Sequence, residues 1–138
     1  MPTQALKEEH RAYVSAARWA VVASSWLYAG GVVLQVFCIG MVLLAGQGAW
    51  LETHRLVGHW IGLAAILALV NGLAARLPWP YLALAGGLVV LHGLQYAFIG
   101  AAGGSFVRAF HAANAVILFW LAVHLGQRVS GLLRRTVL

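Results

Sequence analysis

Four long stretches without a charged residue divide this chain of 138 residues. They lie between Arg18 and Glu52, Arg55 and Arg76, Arg76 and Arg108, and Arg108 and Arg128. The shortest has 19 residues, and about 20 residues of helix cross a hydrocarbon core of roughly 30 Å. The sequence therefore predicts four transmembrane helices, at about 22–46, 55–75, 80–101 and 107–128, in one domain that covers residues 1–138.

The composition agrees with a membrane protein and excludes other classes. Hydrophobic residues make up 62% of the chain and charged residues 9%, against about 25% charged residues in soluble domains. The formal charge of +6 is carried at the ends of the apolar stretches, as membrane topology requires, so no nucleic-acid binding is expected. Cys38 is the only cysteine, which excludes an intramolecular disulfide and a CxxC site.

The distribution of Lys and Arg predicts the orientation. Seven cationic residues fall on one side of the predicted helices: Lys7, Arg11, Arg18, Arg76, Arg128, Arg134 and Arg135. The other side has only Arg55 and Arg108. The positive-inside rule then places both termini in the cytoplasm, and short connections predict an all-α, antiparallel four-helix bundle. We expect a multi-pass protein of a bacterial or archaeal cytoplasmic (inner) membrane, surrounded by the lipid bilayer.

Histidines are the residues that can carry chemistry. Five of the six lie within or at the edges of the predicted spans: His54, His59, His92, His111 and His124. Ionisable residues in such segments are costly and indicate functional sites. The sequence offers no carboxylate pair, Ser-His-Asp arrangement or glycine-rich phosphate loop as a competing candidate.

His54 and His111 are the best candidates for metal ligands. Both are predicted near the outer ends of helices 2 and 4, which are diagonal neighbours about 11–14 Å apart in such a bundle. That gap suits two imidazoles that bind one iron. Gly58 would leave room for a flat macrocycle, while Arg55 and Arg108 would suit its propionate groups. The alternative is that both arginines anchor helix ends at lipid headgroups.

A second polar layer is predicted deeper in the membrane. Its members are Gln35, His59, His92, Gln95 and Asn114. They could form an interhelical hydrogen-bond network, bind a second cofactor, quinone or substrate, or support the histidine ligands. His124 is expected at the opposite interface, in contact with headgroups rather than with a haem.

Two segments resemble the haem A synthases. Residues Glu52-Thr53-His54-Arg55-Leu56-Val57-Gly58 resemble the ExxHR segment that opens the second helix of each half of those enzymes. Residues Phe110-His111-Ala112-Ala113-Asn114 resemble the histidine segment that opens the fourth helix. The whole chain also looks like a family of short, uncharacterised four-helix bacterial membrane proteins with the same segments.

The resemblance implies that His54 and His111 are axial haem ligands and that Arg55 lies beside the propionates. In the synthases the glutamate is three residues before the histidine, whereas Glu52 is two before His54. This difference turns the carboxylate by about 100° around a helix. The resemblance therefore implies the fold and haem binding rather than the enzymatic reaction.

The leading hypothesis is a membrane protein that binds haem b (iron) and serves in electron transfer or haem handling with a redox partner. Its cofactor-binding residues would be Arg55, Arg108, Gly58, Asn114, His59 and His92, and its metal ligands His54 and His111. One alternative is a compact haem-modifying enzyme of the haem A synthase type. The other is a cofactor-free accessory subunit of a larger membrane complex. The sequence leaves open whether the chain is an enzyme and whether it forms a homo-oligomer.

Overall fold

A computed structural model of the chain describes residues 2–100 and 104–135. These residues form four α-helices: α1 (Pro2–Leu43), α2 (Trp50–Ala74), α3 (Trp79–Gly100) and α4 (Gly104–Arg135). All four helices are long and apolar enough to cross a membrane. For the described part of the chain, the predicted all-α class is therefore confirmed, as is the prediction of four helices that are able to span a membrane.

The helices extend beyond the predicted spans. Helix α1 begins at Pro2 instead of residue 22, α2 begins at Trp50 instead of 55, and α4 continues to Arg135 instead of 128. The prediction equated each helix with its apolar part, but backbone hydrogen bonds continue into charged segments rich in helix formers. Helix α1 also ends earlier than predicted, at Leu43, and the predicted end of the third helix at residue 101 lies outside the described residues.

Local backbone chemistry sets the helix ends. Gly46 follows α1 with a φ of +67°, a conformation in which glycine has no steric cost. After α2 the left-handed residue is Arg76, with a φ of 49°. Pro80 occupies the first turn of α3, where a missing N–H leaves no helical hydrogen bond unmade.

Each helix packs against two others. Helix α1 contacts α2 and α4, and α3 contacts the same two helices, so α2 and α4 lie opposite each other. Small side chains permit this packing, among them Ala64, Ala65 and Ala68 on α2. The antiparallel arrangement and the cytoplasmic position of both termini stay predictions.

Large apolar side chains cover the outside of the molecule. Trp60 is 65% exposed and Val116 70%, whereas Tyr28 and Ser25 are completely buried. Soluble domains rarely expose so much contiguous apolar surface. Helix length, composition and this exterior are those of a multi-pass membrane protein.

Candidate functional site

His54 on α2 and His111 on α4 face each other across the molecule. Their ring centroids are 6.2 Å apart, with the ring planes inclined by 60°. One metal ion between two imidazoles requires a similar separation. Two nitrogen–metal bonds of about 2 Å, plus about 1 Å from each nitrogen to its ring centre, give roughly 6 Å. The structure thus brings together the two predicted ligands at a spacing that fits one iron.

Backbone carbonyl groups fix which nitrogen carries the hydrogen in the neutral form of both rings. His54 Nδ1 lies 3.2 Å from the carbonyl oxygen of Gln35, and His111 Nδ1 lies 3.2 Å from that of Gln95. A carbonyl oxygen can only accept, so each Nδ1 carries the hydrogen and donates it. In the neutral ring, Nε2 then keeps the lone pair that a metal needs. Metal-binding histidines commonly make this second hydrogen bond.

The sequence carries a signal for this arrangement that the prediction missed. Leu34-Gln35-x-x-x-Ile39-Gly40 at the end of α1 repeats as Leu94-Gln95-x-x-x-Ile99-Gly100 at the end of α3. In each copy the glutamine carbonyl accepts from a histidine near the start of the following helix. Gln35 and Gln95 were predicted in the deeper layer, whereas their carbonyl groups contact His54 and His111.

The two glutamine side chains differ. Gln35 Nε2 donates to the carbonyl oxygen of His54 at 2.7 Å, whereas Gln95 Oε1 is buried without a hydrogen-bond partner. The Gln35 amide nitrogen also lies 3.4 Å from where a Cβ at Gly58 would be. Gly58 was predicted to leave room for a macrocycle. In the structure, the Gln35 amide lies next to that room.

Arg55 and Arg108 are both exposed near the starts of α2 and α4. Arg55 Nη1 lies 3.7 Å from Glu52 Oε2, one turn before it on the same helix. The Glu52 side chain is 81% exposed, and exposed pairs of this kind contribute only about 0–1 kcal/mol. The Arg55 guanidinium is therefore held weakly enough to bind another carboxylate.

His59 and His92 belong to a separate group of ring side chains. The Tyr28 hydroxyl is 2.9 Å from His92 Nδ1, and Tyr28 is completely buried. The Tyr96 ring lies 5.4 Å from the His59 ring and 5.5 Å from the His92 ring. The prediction found the two histidines but missed the tyrosines, although Tyr28 lies two helical turns before Gln35 and Tyr96 one turn after His92.

The remaining predicted residues make other contacts on α4. Asn114 is buried and donates from Nδ2 to the carbonyl oxygen of Leu91 at 2.8 Å, which links α4 to α3. His124 stacks on Trp120, with 5.0 Å between ring centroids and 10° between planes. Asn114 thus makes an interhelical hydrogen bond, one of the roles predicted for the deeper layer.

These features define a multi-pass membrane protein with polar ring side chains between its helices. The chain belongs to DUF6220, a family of unknown function, whose model matches residues 35–103. The match includes Gln35, His54, His92 and Gln95 and ends before His111. No curated protein and no solved structure matches the chain.

Proposed function

We propose that this chain is a membrane b-type haem protein and that His54 and His111 are the axial ligands of one haem. The ring separation of 6.2 Å is the observation that carries the proposal. The hydrogen bonds to Gln35 and Gln95 support it, because in the neutral rings they leave the lone pair on Nε2.

Two facing imidazoles suit a haem iron better than a bare metal ion. A structural zinc ion takes four protein ligands, whereas haem iron needs only axial ones because the macrocycle supplies the rest. Within residues 2–100 and 104–135, no group of three or more His, Cys, Asp or Glu residues is placed to hold a metal ion. With a single cysteine the chain cannot form the CxxCH attachment of c-type haem.

Bound haem would supply one-electron chemistry, so the function is electron transfer with a redox partner, or haem handling. The protein would hold the iron between two neutral imidazoles and fix both ring orientations through α1 and α3. Arg55 and Arg108 would bind the propionates through their planar guanidinium groups. Both arginines lie near the helix ends that carry the two histidines.

In the membrane we propose an antiparallel four-helix bundle with both termini in the cytoplasm of a bacterium or archaeon. The excess of Lys and Arg on the side of the termini supports this orientation. The His54–His111 pair would then lie near the outer face.

Spectroscopy of single variants tests the ligand assignment. We expect His54→Ala and His111→Ala, purified from haem-replete cells, each to lose the Soret band and the sharp α-band of the parent. His124→Ala is the matched control, because His124 stacks on Trp120 away from the pair, and its spectrum should match the parent's. Full haem bands in either ligand variant would contradict the assignment.

A further inference from the structure

A second set of ring side chains lies apart from the His54–His111 pair on which the haem proposal rests. It consists of Tyr28, His59, His92 and Tyr96, here called the imidazole–phenol cluster. His59 is five residues beyond His54 on α2, or about 7.5 Å along the helix. Polar rings in apolar segments are costly unless each finds a hydrogen-bond partner. The partners, packing and exposure of each ring therefore show which part of the cluster could still bind a ligand.

The inner part of the cluster is closely packed. The buried Tyr28 hydroxyl is paired with His92 Nδ1 at 2.9 Å. On the other edge of the ring, His92 Nε2 lies 2.6 Å from where a Cβ at Gly62 would be, so the ring packs against the α2 backbone. These close contacts leave no room for a ligand between His92 and α2.

The outer part of the cluster presents unused polar atoms to the outside. His59 is exposed, and its Nδ1 donates to the carbonyl oxygen of Arg55 at 2.8 Å. Its Nε2 is therefore an acceptor in the neutral ring. Tyr96, whose ring contacts His59, is 47% exposed, and Trp60 beside His59 is 65% exposed. At the depth of the hydrocarbon core, no water would reach this surface to satisfy His59 Nε2 and the Tyr96 hydroxyl.

We propose that His59 and Tyr96 bind the headgroup of a lipid-soluble quinol at the α2–α3 surface. A quinol hydroxyl would donate to His59 Nε2, and the Tyr96 hydroxyl would donate to a quinol oxygen. The exposed face of Trp60 would pack against the quinol ring. This site does not depend on haem binding.

The hydrogen-bond roles also predict which ligand form is preferred. A quinone carbonyl only accepts, so it cannot bond to His59 Nε2, and the reduced form should bind more tightly. A neutral His59 ring also disfavours an anionic lipid phosphate, because the lone pair on Nε2 would face the negative oxygens. The site therefore selects a neutral ring compound that carries a hydroxyl group.

Direct binding to the full chain in detergent tests the site. The probes are decylubiquinol and decylubiquinone, measured by equilibrium dialysis under anaerobic conditions. We expect saturable binding with the quinol favoured, and a loss of about tenfold in quinol affinity for His59→Leu, as for one lost hydrogen bond. The quinone should bind His59→Leu and the parent alike, whereas Tyr96→Phe should weaken both forms. His124→Leu is the control that keeps parent affinity.

Three results would contradict the proposed quinol site. The folded protein could show no saturable binding, it could bind quinol and quinone with equal affinity, or His59→Leu could keep the quinol affinity of the parent. A change from dimer to monomer in His59→Leu, without a change in quinol affinity, would mean that a second copy covers the cluster. Haem content is recorded in the same samples, so failure of the haem proposal is a separate result.

Discussion

At the scale of single residues, one glycine determines whether His92 can take its place between two helices. His92 Nε2 lies 2.6 Å from where a Cβ at Gly62 would be, closer than real Cβ contacts allow. Nδ1 of the His92 ring is hydrogen-bonded to the hydroxyl of the buried Tyr28. Any side chain at position 62 must therefore displace His92 and leave a buried hydroxyl group without its partner.

We expect Gly62→Ala to lower the free energy of unfolding by about 2 kcal/mol, through overpacking and the lost Tyr28–His92 hydrogen bond. Gly30→Ala is the matched control, because no neighbouring atom lies within 4 Å of where a Cβ at Gly30 would be. Since alanine favours a helix by about 0.5–1 kcal/mol over glycine, Gly30→Ala should stabilise the protein slightly. Denaturation in detergent measures the free energy of unfolding of both variants. Equal effects of the two substitutions would contradict the close contact between His92 and position 62.

Substitutions of Arg55 and Arg108 test whether the planar guanidinium group is needed to bind the haem propionates. If Arg55 and Arg108 bind propionates, replacement by Lys or Gln should weaken haem retention, by about 1–3 kcal/mol for Gln. Haem occupancy and midpoint potential would be measured for both substitutions at both positions. Arg128→Gln is the control. Arg128 is 20 residues beyond Arg108 on α4, and its guanidinium lies 5.9 Å from the ring centre of Tyr81 on α3, away from the two histidines. Values equal to the parent's in all four variants would mean that these arginines only anchor helix ends.

The sequence allowed the two facing histidines of the candidate site to be predicted, but not the contacts that orient them. His54 and His111 were found because histidine is rare and costly in apolar segments. The carbonyl groups of Gln35 and Gln95 were missed, because any residue type has a carbonyl group and its partner depends on how the helices pack. Tyr28 and Tyr96 were missed for a related reason: tyrosine is also a common packing residue in membrane helices.

At the scale of helices, α2 ends in a motif that usually contains glycine. Leu77 N–H donates to the carbonyl of Gly72, and Arg76 N–H to that of Leu73, both at 3.0 Å. This pair of bonds requires a left-handed residue between helix and loop, and here that residue is Arg76, with a φ of 49°. For a residue with a Cβ, this conformation costs roughly 1–2 kcal/mol.

We expect Arg76→Gly to raise the free energy of unfolding by about 0.5–1 kcal/mol, because glycine adopts this conformation without strain. Gly46→Ala makes the opposite change at a φ of +67° and should destabilise the protein by about 1 kcal/mol. Thermal unfolding in detergent measures both shifts. A destabilised Arg76→Gly would show that the arginine side chain contributes more than its backbone strain costs.

The number of helices followed directly from the charge-free stretches, because only helices of that length satisfy their backbone in lipid. Helix boundaries did not follow, since charge marks where a membrane ends and not where a helix ends. The 20 residues before position 22 show this, because residues such as Lys7, Glu8 and Arg11 belong to α1. Residues that limit the backbone conformation itself mark helix ends more closely, such as Gly46 after α1 and Pro80 in the first turn of α3.

At the scale of the whole molecule, the distribution of side chains is that of a protein in lipid. Residues such as Ala64 and Ser25 are buried, while Leu27 and Val116 are exposed. Apolar surface alone does not fix orientation, because both ends of each helix are equally able to face the cytoplasm. Orientation depends on the arginines and lysines outside the spans.

Thiol labelling tests the orientation with little background, since the only cysteine, Cys38, is buried. A membrane-impermeant maleimide added to intact cells should label Ala45→Cys, in the α1–α2 loop, and not Thr3→Cys. After cell lysis both should react, because both positions are exposed. The reverse pattern in intact cells would place the termini, and the charge excess, on the outer side.

The absorbance spectrum of the purified parent protein tests the central claim most directly. Protein from haem-replete cells, reduced with dithionite, should show a Soret band and a sharp α-band from one low-spin haem b per chain. Such a spectrum is expected because His54 and His111 offer two axial imidazoles with ring centroids 6.2 Å apart. A folded protein that is colourless after the same preparation would contradict the claim that this pair binds haem.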